Sequence, residues 1–83
     1  MEIRYSKKAL KYLVKMQAPR VARIRESIAR IANEDTEGLN IIHMEVVDAH
    51  RLRVGDFRVI YEIHEDELVL IVIRVGPRGG VYK

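Results

Sequence analysis

His50-Arg51-Leu52-Arg53-Val54-Gly55-Asp56-Phe57-Arg58-Val59-Ile60-Tyr61 alternates apolar and polar side chains around a central Gly-Asp pair. That pair suits a two-residue hairpin turn, with glycine supplying the positive φ of a type II′ turn. The resulting register sets Val54 opposite Phe57, Arg53 opposite Arg58 and Arg51 opposite Ile60. Side chains alternate faces along a strand. Arg51, Arg53 and Arg58 therefore share one face, and Leu52, Val54, Phe57 and Val59 share the other. Like charges directly opposite each other destabilise a sheet. An anion lodged between them removes that repulsion, with phosphate the first candidate; a merely solvated arginine face is the alternative.

Upstream, Glu2 to Tyr5 reads as a short strand, and Ser6 is placed to cap the helix that follows. From Lys7 to Gln17 the apolar positions Leu10, Leu13, Val14 and Met16 recur at helical spacing. Ala18-Pro19 breaks that helix, and proline suits the first turn of the next. Val21, Ile24, Ile28 and Ile31 mark one face of a second helix running to about Ala32. Arg23, Glu26 and Arg30 lie opposite, spaced for ion pairs along the helix. The short connection makes the two helices an antiparallel hairpin.

Asn33 to Asn40 reads as a polar loop, and Ile41 to Asp48 as either an extended lead-in or the start of a strand. Three strands follow, roughly His50–Val54, Phe57–His64 and Leu68–Val75, with Glu65-Asp66-Glu67 turning the second into the third. The expected fold is α+β: an N-terminal strand, an antiparallel helical hairpin, then a three-stranded antiparallel meander, all in one domain over residues 1–83. The helices should pack on the Leu52/Val54/Phe57/Val59/Tyr61/Ile63 face, leaving the arginines outward. If Ile63 pairs with Leu68, then Arg58 pairs with Ile73, and Val75 lies beside Asp56. The residues beyond Gly76, including Arg78 and Tyr82, would then start from the tip where Arg53 and Arg58 sit.

Charge is segregated along the chain. Residues 1–33 carry nine Lys or Arg against Glu2 and Glu26, whereas residues 34–49 carry five acids and no Lys or Arg. A basic body fits either a polyanionic partner such as nucleic acid or a solvated surface. Lys7, Lys11 and Lys15 line one side of the first helix; they suit RNA docking or simple solvation. The chain contains no cysteine, so disulfides and thiolate metal sites are excluded. His43, His50 and His64 show no zinc-like spacing, Gly76 to Gly80 lacks the lysine and serine or threonine of a P-loop, and no metal or cofactor is expected. The longest apolar run, Leu68 to Ile73, is too short to cross a bilayer, and the N-terminus lacks an export signal's apolar segment. The expected location is the cytoplasm, with no membrane partner.

The string Arg51 to Ile63, together with Arg74-Val75-Gly76-Pro77-Arg78 and Val81-Tyr82, resembles the central hairpin, final strand and tail of the RelE-type toxins. The element order resembles theirs along nearly the whole chain. The resemblance implies a small endoribonuclease that enters the ribosomal A site, contacts 16S ribosomal RNA and cuts the translated mRNA, and that is held in check by a cognate antitoxin. By the same resemblance Arg58 matches the arginine that stabilises the phosphate in the transition state, and Arg78 the one that protonates the leaving oxygen. Tyr82 matches the tyrosine that orients the substrate nucleotide. Arg51 and Arg53 stand where family members often carry lysines that assist 2′-hydroxyl activation and charge neutralisation. Arginine is effectively always protonated, so Arg53 is a poor base; Lys83 or Tyr82 could assist, or positioning could dominate. Pro77 departs from the basic residue or histidine that relatives often carry. Two other functions fit the same sequence: a ParE-type toxin that binds DNA gyrase, and a non-catalytic RNA-binding module.

Overall fold

The computed structural model describes residues 1–45 and 47–77. The elements are β1 (Glu2–Tyr5), α1 (Lys7–Lys15), α2 (Ala18–Ala32), β2 (Asn40–Met44), β3 (Ala49–Val54), β4 (Phe57–His64) and β5 (Val69–Pro77), with a 3-10 turn at Glu65–Glu67. The sheet order is β1-β5-β4-β3-β2; β1 runs parallel to β5 and the other neighbours are antiparallel. The α+β order expected from the sequence is thus present. The ambiguous stretch after Asn40 supplies an additional edge strand, β2, so the meander has four strands rather than three.

Ser6 is the N-cap of α1, its Oγ accepting from the Ala9 amide at 3.0 Å. Pro19 stands in the first turn of α2, where its missing amide hydrogen is no loss. The helices bury Ala9, Leu13, Ile24, Ile28, Ile31 and Ala32 against Leu52, Val59, Tyr61, Leu70, Val72 and Val75 of the sheet. Val54, Phe57 and Ile63 border this core, so the face predicted from alternation is the one the helices cover. The α1 stripe is narrower than its apolar spacing suggests. Leu13 is buried and Met16 packs against the same core, but Leu10 is 41 % and Val14 84 % exposed. Ala9 takes the inward place, because only a small side chain lets the helix lie close to the sheet. Tyr12 meets Phe57 edge to face, while the guanidinium groups of Arg20 and Arg25 lie over the rings of Phe57 and Tyr5, at 5.2 and 5.0 Å.

The α2 ion pairing also differs from its spacing. Arg30 donates from Nε and Nη2 to the carboxylate of Asp35, at 3.1 and 3.2 Å, and to the Glu37 carbonyl. This closes the loop after the helix, and the guanidinium holds the Asp35 carboxyl below its usual range. Among the described residues no helix is long and apolar enough to cross a membrane.

Candidate nucleic-acid interface

The central hairpin has the register that its sequence dictates: Val54↔Phe57, Arg53↔Arg58, Leu52↔Val59 and Arg51↔Ile60. Gly55 has φ +58 and Asp56 has no positive φ, as a type II′ turn requires. Arg51, Arg53 and Arg58 therefore share the face away from the helices. Arg53 is exposed, and its Nε approaches the Gly55 carbonyl only at 3.5 Å; Arg51 and Arg58 are half-buried.

The pairing of β4 with β5 departs from the expected register. Ile63 pairs with Leu70 rather than Leu68, because the 3-10 turn and a left-handed Leu68 (φ 54) consume two further residues. A second shift lies between Ile60 and Tyr61: Ile60 pairs with Arg74 and Tyr61 with Val72, leaving Ile73 as the extra residue of a β-bulge. Arg58 then pairs with Gly76, not Ile73, and Phe57 with Pro77. β5 ends at Pro77 opposite Phe57, one pair beyond Arg58, and the residues expected to continue from there lie outside the described residues.

One residue row of the outer face thus reads Asn40, Arg53, Arg58, Gly76, and the next reads Ile42, Arg51, Ile60, Arg74. Gly76 leaves the place beside Arg58 without a side chain. Ile60 is only 7 % exposed on a face that no helix covers among the described residues, packing with Ala49 and Met44. Its cross-strand neighbours are Arg51 and Arg74, both half-buried. The floor is apolar and the rim cationic, which strengthens electrostatic interactions with a ligand placed there.

Several acids near this face have partners of their own. The Glu62 carboxylate meets His64 Nε2 at 2.9 Å, and Glu2 bonds Arg4. At the hairpin tip, Arg20 and Arg23 of α2 line a small cleft with Val54, Gly55, Asp56 and Phe57. Arg23 and Arg53 share a second cleft with Gly38 and Leu39.

Of the candidate residues, Arg51, Arg53 and Arg58 are brought together. Lys7, Lys11 and Lys15 are exposed on the outer side of α1, across the helix layer and the sheet from the arginines. Arg78, Tyr82 and Lys83 lie outside the described residues. Arg74, Arg20 and Arg23 were not singled out from sequence. A signal for Arg74 exists: unbroken alternation gives it the parity of Leu70 and Val72, and a charged side chain at a core position marks a break in that alternation.

A sequence model of the family described as "ParE toxin of type II toxin-antitoxin system, parDE" matches residues 3–82. No curated protein matches the sequence. Among solved structures the chain is similar to the archaeal RelE-RelB complex from Pyrococcus horikoshii OT3, with 26% identity and a TM-score of 0.78, covering 96% of this chain and 97% of that one. It is also similar to a metal-bound toxin from Helicobacter pylori (20% identity, TM-score 0.78, 99% of each chain). The intact E. coli RelBE toxin-antitoxin complex matches at 18% identity and TM-score 0.73, over 92% of this chain and 94% of that one. At these last two identities the likeness is one of fold.

Proposed function

The chain belongs to the ParE toxin family of type II toxin–antitoxin systems, within the RelE/ParE superfamily, and from that premise we propose that it is a ribosome-dependent endoribonuclease. The observation that carries this reading is the cross-strand pair Arg53↔Arg58, flanked by Arg51, on a sheet face left open by the helices. A ribose 2′-hydroxyl loses its proton to solvent as its oxygen attacks the adjacent phosphate, the bond from phosphorus to the 5′-oxygen of the next nucleotide breaks, and that oxygen takes up a proton, leaving a cyclic phosphate and a free 5′-hydroxyl. Charge on the phosphate oxygens rises in the transition state, and preorganised guanidinium groups stabilise that charge more than they stabilise the bound message. Arg58, half-buried beside side-chain-free Gly76, is the phosphate ligand in this scheme. Arg53 and Arg51 act by charge, since a guanidinium does not take up a proton. Arg78 protonates the leaving oxygen and Tyr82 orients the nucleotide, as the family resemblance implies. The A site supplies in-line geometry, and Lys7, Lys11 and Lys15 offer a separate face for 16S ribosomal RNA. The cytoplasm is the compartment this function requires. Two of the similar structures are toxin–antitoxin complexes, and a cognate antitoxin is the corresponding partner here.

The name of the matching family favours a second reading, inhibition of DNA gyrase without RNA cleavage. Primer extension on a translated message separates the two. New codon-positioned 5′ ends support cleavage, and Arg58→Ala should then lower the rate by about 10²–10³ while leaving the fold intact. DNA breaks with intact message support the gyrase reading, and neither signal points to simple RNA binding.

A further inference from the structure

We infer that Arg74 is a fourth phosphate-binding arm of this face, delivered to it by the bulge at Ile73. The inference rests on the nucleic-acid reading and adds to it a residue that alternation alone would misplace. Below the bulge, the β4–β5 register pairs Tyr61 with Val72 and Ile63 with Leu70. Continued unbroken, that register would set Ile73 beside Ile60 and Val75 beside Arg58, and would send Arg74 into the apolar core under the helices. A charged side chain in that core has a large desolvation penalty. The extra residue reverses the parity of the last part of β5. Val75 turns inward, where it is 8 % exposed in the main core, and Arg74 turns outward opposite Ile60.

The bulge is anchored from outside the sheet. The Ser6 hydroxyl donates to the Ile73 carbonyl, and the Ser6 amide donates to the Val72 carbonyl at 2.9 Å. The same hydroxyl caps α1. The start of the helix and the bulge thus hold each other, and Arg74 extends from a fixed stretch of backbone. Arg51 and Arg74 flank Ile60 from its two sides, one row from the Arg53–Arg58 pair. Four arginines thus occupy two adjacent residue rows of the outer face, an arrangement that suits two successive phosphates of a single strand. Arg58 and Arg53 serve one, and Arg74 with Arg51 reaches toward its neighbour. Arg74 is accordingly a positioning residue for the strand rather than a group at the scissile bond.

The test is a titration of the full chain with a short 2′-O-methylated oligoribonucleotide, which binds but cannot be cleaved, following the Nε–Hε NMR signals of Arg58 and Arg74. Both signals should move. Arg74→Gln should weaken binding about tenfold and flatten the dependence of log K on log salt by about 0.7, the share of one phosphate contact on a single strand. Arg74→Lys should retain the salt slope while losing part of the affinity. A purely structural role would lower stability in Arg74→Gln and leave the slope unchanged. If Arg58 responds and Arg74 does not, with the slope unmoved, Arg74 has no such role while the nucleic-acid reading stands. If neither responds, phosphate binding by this face falls, and primer extension on the translated message decides the ribosome-dependent reading.

Discussion

Gly55 decides whether two arginines stand side by side. Its φ of +58 lies in the region that L side chains rarely adopt, and a Cβ built there would meet only Arg23 Nη1, at an ordinary 3.7 Å. Space is available, so the constraint is conformational. Gly55→Ala should destabilise the protein by roughly 1–2 kcal/mol, seen as a lower urea midpoint at unchanged m-value. Gly55→Asn should be milder, because asparagine tolerates a positive φ. The Arg53–Arg58 pair that the turn creates is a local cost within the sheet. Replacing the pair by threonines should remove any phosphate-dependent function, read by primer extension on a translated message.

At the scale of elements, Ser6 joins three structures at once. Its hydroxyl caps α1 through the Ala9 amide and holds the bulged Ile73 carbonyl of β5, while its backbone continues β1. Ser6→Ala removes a cap worth about 1 kcal/mol and a hydrogen bond of similar worth, whose loss leaves a half-buried carbonyl under-satisfied. The expected loss is ~2 kcal/mol by urea denaturation, against a few tenths for Ser6→Thr. Hydrogen exchange at Arg74 and Val75 should accelerate in Ser6→Ala more than exchange in α2, because the bulge and the first helix loosen together.

For the whole molecule, stability rests on one core between the helices and the sheet, and Tyr61 is its largest fully buried side chain. Burial pushes the Tyr61 phenol up to about 12. An unfolded tyrosine titrates near 10, so between these values the folded chain keeps a proton that the unfolded chain releases. Stability should fall as pH rises from about 10 and level off near 12. The difference between wild type and Tyr61→Phe in urea midpoint against pH isolates this contribution. His50, stacked on Tyr61 at 5.1 Å, is shifted the other way: burial, then the nearby His43, lowers its pKa. Its contribution is present above the unfolded value of about 6.5 and is lost as pH falls through the lowered folded value.

Local chemistry alone determined the hairpin, both helices, the Ser6 cap and the face shared by Arg51, Arg53 and Arg58. Each depends on residues close in sequence: a turn of two residues fixes its register, and a cap acts within one helical turn. Three features needed the folded chain. Which apolar positions of α1 face inward was set by the fit of Ala9 against the sheet, leaving Val14 in solvent. The strand at Asn40–Met44 exists because β3 offers it an edge. The outward turn of Arg74 depends on a bulge clamped by Ser6, sixty-seven residues away in sequence. Alternation predicts faces only while pairing is unbroken, and a contact between distant segments is what breaks it here.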